Sequence, residues 1–147
     1  MKTVNLKCST DNKNVVYDDQ GMPWVIEDRV LNLTQHQATQ EQVNAGVVEP
    51  ADKQQVQQLL TFDRLPSNHD LVFSAGELVK IVTKSGCRRI MIGGAPFFMP
   101  VLEGALRSEG LLTVYAFSER VSVEETLPDG SVRKTNIFKH VGFVGGE

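Results

Sequence analysis

Arg89-Ile90-Met91-Ile92-Gly93-Gly94-Ala95-Pro96 is the stretch whose reading decides the fold. Its first four residues are too few for a helix and apolar enough for a strand buried on both faces. The two glycines and the proline then turn the chain directly into a helix. Phe98, Val101, Leu102, Ala105 and Leu106 recur there at helical spacing, and Gly110 stops them. Leu112 through Phe117 reads as a second buried strand. Upstream, Leu71, Ala75, Leu78, Val79 and Val82 mark a long helix. Ser67 or Asn68 caps it, and it runs to about Lys84 before the Gly86 stop. Further upstream, Val30-Leu31-Asn32-Leu33 is a short strand that ends in Thr34-Gln35-His36-Gln37-Ala38. Thr39 and Gln42 form a capping box for a short helix that Gly46 closes. Pro50 is placed to open another helix, with Val56, Leu59 and Leu60 inward and Gln54, Gln55, Gln57 and Gln58 outward.

Strand, helices, strand, helix, strand is the pattern of a parallel sheet with right-handed crossovers. The expectation is a small α/β protein, a Rossmann-like layer of about three parallel strands over residues 30–118. Residues 1–28 read as an appended antiparallel meander. Short apolar runs at Val4 and Leu6, Val15-Val16-Tyr17 and Trp24-Val25-Ile26 are separated there by Asn, Asp and Gly clusters, with a turn at Asp19 to Gly21. Residues 119–144 read as a β-hairpin. Asp129-Gly130 signals a two-residue loop of type I′. That loop sets Val121 opposite Phe138, Val123 opposite Asn136, Glu125 opposite Lys134 and Glu119 opposite His140. It gathers Val121, Val123, Leu127, Val132 and Phe138 on one face.

The 147 residues suit one domain, and 41% hydrophobic with 22% charged residues is ordinary globular usage. Fifteen Lys and Arg against 18 Asp and Glu leave a net charge of −3, which argues against bulk nucleic-acid binding. No apolar run is long enough to span a bilayer, and no signal peptide is legible. The two cysteines, Cys8 and Cys87, lack metal-ligand spacing and read as buried thiols of a cytoplasmic protein.

In an open α/β sheet, ligands bind beyond the carboxyl ends of the parallel strands. Three segments are expected to meet there: Thr34-Gln35-His36, Gly93-Gly94-Ala95 and Ser118-Glu119-Arg120. Paired glycines before a helix let backbone amides approach an anion, and the helix terminus adds partial positive charge. The same glycines equally serve a tight turn. His36 stands among polar neighbours just past a strand end, placed for ligand contact, acid–base work or a loop-bracing bond. Thr34 shares those options. Arg120 can clamp a phosphate or pair across the hairpin. His69 reads as solvated. There is no GxSxG elbow, no Cys–His pair, no Walker or GxGxxG loop and no carboxylate cluster. An enzyme built on these residues needs neither metal nor cofactor.

Leu31-Asn32-Leu33-Thr34-Gln35-His36 followed by Thr39-Gln40-Glu41-Gln42 forms one motif. Met91-Ile92-Gly93-Gly94-Ala95-Pro96 running into Ala116-Phe117-Ser118-Glu119-Arg120 forms another. Over about residues 30–120 the chain resembles the small Rossmann-like proteins encoded near type III CRISPR systems. Some of those are proposed ring nucleases related to domains that sense cyclic oligoadenylates. The meander and the long hairpin are additions to that pattern. The resemblance implies a homodimer that binds a cyclic oligonucleotide across its two-fold axis and cleaves it without metal, a ribose 2′-hydroxyl attacking the adjacent phosphate. Gly93, Gly94 and Arg120 then hold phosphate, with Gln35, Ala95 and Ser118 beside them, and Thr34 and His36 serve the hydroxyl. Two rival classes use the same fold: a nucleotide or anion sensor without turnover, and a protein-interaction module of a phage or mobile element.

Overall fold

The computed structural model describes residues 7–8, 15–17, 23–25 and 29–145. Strands β1 (Lys7–Cys8), β2 (Val15–Tyr17) and β3 (Pro23–Val25) pair antiparallel in that order. They form the expected meander. The turn expected at Asp19 to Gly21, Val4, Leu6 and the Cys8 side chain lie outside the described residues.

The rest of the chain is a mixed α/β structure. Its elements are β4 (Val30–Leu33), α1 (Gln40–Asn44), β5 (Val47–Val48), α2 (Lys53–Leu59), α3 (Asn68–Ser85), β6 (Arg89–Ile92), α4 (Met99–Ser108), β7 (Leu112–Thr126) and β8 (Val132–Gly145). The sheet order is β5-β4-β6-β7-β8, parallel from β5 to β7 and antiparallel at β8. The sheet is therefore mixed, where a parallel one was expected. The hairpin does not follow the sheet; its two strands are part of it.

Burial explains why such short strands hold. Leu31, Leu33, Ile90 and Ile92 pack in the main core with Val56, Leu71, Ala75, Leu78, Val82, Met99, Leu102 and Leu106 of α2, α3 and α4 and with Leu60, Cys87 and Phe98 beside the helix ends. Val30, Val47, Met91 and Val114 form a smaller cluster. Alternate residues of one strand enter different clusters because successive side chains point to opposite faces. Among the described residues no helix is long and apolar enough to cross a membrane.

Three local expectations change. The strand β5 was not anticipated; two residues carry no readable period, but Val47 is buried and pairs with Val30. The helix expected at Pro50 starts at Lys53, because the Asp52 side chain accepts from the Gln55 amide and caps it there. The helix after Gly93-Gly94 starts only at Met99. A turn intervenes, in which the Phe98 and Met99 amides donate to the Ala95 carbonyl at 3.0 and 3.2 Å.

The hairpin is offset by one residue from the expected register. Glu125 pairs with Arg133, Glu124 with Lys134 and Val121 with Ile137; Phe138 sits opposite Arg120. A type I′ loop needs positive φ at both central residues, and Asp129 has none; only Gly130 does, at φ 84°. The loop is Pro128-Asp129-Gly130, with the Gly130 amide donating to Leu127 O and the Leu127 amide to Ser131 O. Proline favours the second position of a type I turn, which glycine then closes. Phe138 and Val132 thus leave the face of Val121 and Val123.

The cap of α3 carries a pH dependence. Ser67 Oγ accepts from the Asp70 amide at 3.1 Å, and Asp70 Oδ2 accepts from the Ser67 amide at 2.9 Å. The Ser67 amide, then its hydroxyl, hold the Asp70 carboxyl below its ordinary 3.8. A depressed carboxylate contributes stability above its unfolded value, and that contribution is lost as pH falls through the folded one. Ser67→Ala is expected to cost about 1 kcal/mol at neutral pH. The Ser67 amide, which does most to hold the Asp70 carboxyl down, survives in that variant, so the pH dependence is read from Asp70→Ala, whose difference from the parent should shrink as pH falls below the ordinary 3.8. Urea unfolding at neutral pH and below that value checks both.

Candidate functional site

The loop after β4 and the Gly93-Gly94 turn after β6 meet beyond the carboxyl ends of their strands. Thr34, Gln35, His36 and Gln37 form one wall of a crevice of about 400 Å³, and Met91, Ile92, Gly93 and Gly94 form another. Thr39 and Gln42 of the α1 cap close one side, and Tyr115 and Ala116 of β7 the other. Among the described residues the lining contains no Lys, Arg, Asp or Glu. Its polarity comes from side-chain amides, hydroxyls and one imidazole.

Buried Asn32 organises the first wall. Its Oδ1 accepts from the Thr34 amide at 3.1 Å and from the Thr34 hydroxyl at 2.6 Å. Its Nδ2 donates to the His36 carbonyl at 2.8 Å and to Glu49 Oε1 at 2.9 Å. Glu49 also accepts from the Ala38 amide at 2.7 Å and pairs with Lys53 at 3.3 Å. Lys53 Nζ donates to the carbonyls of Thr34 and His36 at 2.6 and 2.8 Å. Every polar group of this hub has a partner, so the loop is held in one shape. From α2, Gln57 donates to the Gln35 carbonyl, and the Gln35 amide donates to Thr61.

These bonds bear on the sequence-derived roles. The His36 backbone is engaged, while its ring lines the crevice and no described residue bonds it. The Thr34 hydroxyl proton is taken up by Asn32 Oδ1 at 2.6 Å and the His36 carbonyl at 3.1 Å, which leaves that oxygen free only to accept. A Cβ added at Gly93 would meet Thr34 Cγ2 at 3.6 Å, an ordinary contact, so the turn does not need glycine there. Gly94, at φ 152°, does need it. The α4 N-terminus is separated from both glycines by Ala95 to Phe98, so the helix dipole does not act directly at the turn.

Ala95 does not line the crevice; it packs half-buried against the main core. Nor do Ser118 and Arg120. The third parallel strand does not end at Phe117 but continues as β7 to Thr126, paired throughout by β8, so there is no loop at 118–120. Arg120 stacks over the Phe138 ring at 5.7 Å. His140 stands opposite Ser118 instead of Glu119 by the same one-residue offset that the three-residue loop sets; the register shifts only beyond that pair, between Phe117 and Ser118. Its amide donates to Glu41 Oε2 at 3.0 Å.

Sequence reading missed Asn32, Glu49 and Lys53. A polar residue inside the apolar run Val30–Leu33 was the available signal, since a buried amide demands partners. It also missed Tyr115. Burial, then the charge of Glu103, raise its phenol above the ordinary 10.0, and the phenol donates to Glu103 at 3.3 Å.

No curated protein and no solved structure matches the chain. A family model covers everything from just before β4 to the end of β8 except the final residue, and by that match over residues 28–144 the chain belongs to the Uncharacterized protein MJ1673 family.

Proposed function

We propose that the crevice binds a small phosphate-bearing ligand of the nucleotide class. The observation that carries this reading is the meeting of a rigidly braced polar loop and a glycine turn beyond the carboxyl ends of β4 and β6. That is where an open α/β sheet takes its ligands, and on this reading the layer is Rossmann-like. Uncharged amides and hydroxyls suit base and ribose, and the Gly93-Gly94 backbone suits a phosphate. In its fullest form the ligand is a cyclic oligonucleotide. The His36 ring takes the 2′-hydroxyl proton, the oxygen attacks the adjacent phosphorus, and the 5′-oxygen leaves and takes a proton from water, giving a 2′,3′-cyclic phosphate and a free 5′-hydroxyl. Thr34 orients the hydroxyl by accepting from it. A second reading, binding without turnover, is favoured by the lining itself, in which no described residue is a cation that could meet the charge on the phosphate.

Thermal shift against cyclic oligoadenylates, mono- and dinucleotides and plain phosphate tests binding. A ligand at about 100 times its Kd adds about 2.7 kcal/mol, a rise in Tm of about 5–10 °C. Gly93→Leu fills the crevice beside Thr34 and should abolish the shift at nearly unchanged Tm. A shift that survives Gly93→Leu places the ligand elsewhere, and no shift with any member overturns the reading. Product analysis in EDTA, with His36→Ala as control, then separates cleavage from binding.

A further inference from the structure

Beyond Phe117, β7 pairs with β8 alone, and the two strands continue as a ribbon to the Pro128-Asp129-Gly130 loop. From Ser118 to Thr126 it extends about 30 Å at roughly 3.3 Å per residue. A two-stranded ribbon is marginal alone in water, and this one exposes apolar side chains: Phe138 is 70% and Val132 59% exposed.

One ribbon face carries three central cross-strand pairs. Arg120–Phe138 lies nearer the body, Ser122–Asn136 in the middle and Glu124–Lys134 nearer the tip. In the first the guanidinium sits over the ring at 5.7 Å. In the second Ser122 Oγ donates to Asn136 at 3.0 Å. The third is a loose ion pair at 4.0 Å. A half-turn about an axis across the ribbon through the middle pair lays a second copy on the first in the opposite direction. Arg120 then meets Glu124 of the other copy, twice, and Lys134 covers the exposed Phe138, twice. The bodies stand at opposite ends. The other ribbon face fails the same operation, since it sets Glu119 on Glu125 and Lys139 on Arg133. Complementarity under a two-fold is what an isologous interface requires.

We propose that this face of the β7–β8 ribbon is a self-association surface whose occupant is the same face of a second copy of the chain. The inference is independent of the ligand proposed for the crevice. A patch of three cross-strand pairs is small for a protein–protein interface, so association should be reversible, with a Kd of roughly micromolar order.

Sedimentation velocity of the full chain across concentrations up to about 100 μM tests it, well above such a Kd. The expected result is a concentration-dependent rise to twice the 16.3 kDa chain mass. Arg120→Glu and Glu124→Arg should each weaken association about tenfold or more by setting like charges together. Both changed positions are solvent-facing, and circular dichroism checks that both variants fold. Mixing the two variants should restore the dimer, since both contacts between positions 120 and 124 across the two-fold are again between opposite charges. A loss of association through misfolding gives no such rescue. A monomer at all concentrations overturns the proposal. So does a dimer insensitive to both reversals, or one that mixing fails to restore.

Discussion

At neutral pH the Asn32→Asp protein is expected to be less stable than the parent by about 4 kcal/mol, and to recover much of that loss in mild acid. Asn32 is 0% exposed. Its Nδ2 faces two acceptors, the His36 carbonyl and the Glu49 carboxylate, at 2.8 and 2.9 Å. Replacing that nitrogen with a carboxylate oxygen turns two hydrogen bonds into two repulsions and buries a charge against another of the same sign. A proton on the introduced group removes the charge and restores one of the two hydrogen bonds, so the folded variant holds it to higher pH than the unfolded chain does. A raised folded pKa adds stability as pH falls through it toward the unfolded value of about 4. The gain over the parent therefore lies between neutrality and about pH 4. Asn32→Ala is the control, with a loss of about 3 kcal/mol that has no such slope. Denaturant melts of the three proteins across this range decide it. A flat Asn32→Asp difference would mean that Glu49 does not face Asn32.

Phe98→Ala is expected to cost about 4 kcal/mol and to lower Tm by about 10 °C. Phe98 is 0% exposed and meets the Phe62 ring edge-on at 5.1 Å. It also closes the turn between Gly94 and α4, where its amide donates to Ala95 and its carbonyl accepts from Leu102. Truncation leaves a cavity between that turn and the core, and the surrounding backbone is pinned too well to collapse into it. Phe62→Ala, at a half-buried position, should cost less. The double variant should show a coupling of about 1 kcal/mol beyond additivity. Differential scanning calorimetry reads all three. A Phe98→Ala loss below about 2 kcal/mol would contradict the packing described.

Much of the fold was legible because it is written in local chemistry. The α3 stripe of Leu71, Ala75, Leu78 and Val82 is buried as its spacing indicates. Ser67 and Gly86 bound that helix, and Thr39 with Gln42 forms the capping box read from the sequence. Caps and stripes span at most a few turns, so their partners lie nearby in the chain. The crevice was legible in part for the same reason. Thr34, Gln35, His36, Gly93 and Gly94 follow strands whose ends can be read, and they line it together.

What failed depended on partners distant in sequence or on turn geometry. Ser118 and Arg120 were expected at a strand end, but β7 does not end there because β8 goes on pairing with it. Asp129-Gly130 suggested a two-residue loop, but Pro128 and a single left-handed glycine make a three-residue one, and every pair along the ribbon moves with it. By itself the sequence determined the order of the helices and of the strands other than β5, the caps of α1 and α3, and the apolar stripes of the helices, since these follow from propensity and period. Only the tertiary structure decided the place of β5 at the sheet edge, the ribbon register, and the Asn32–Glu49–Lys53 hub. Each of these is a pairing between groups that become neighbours only after the chain has folded.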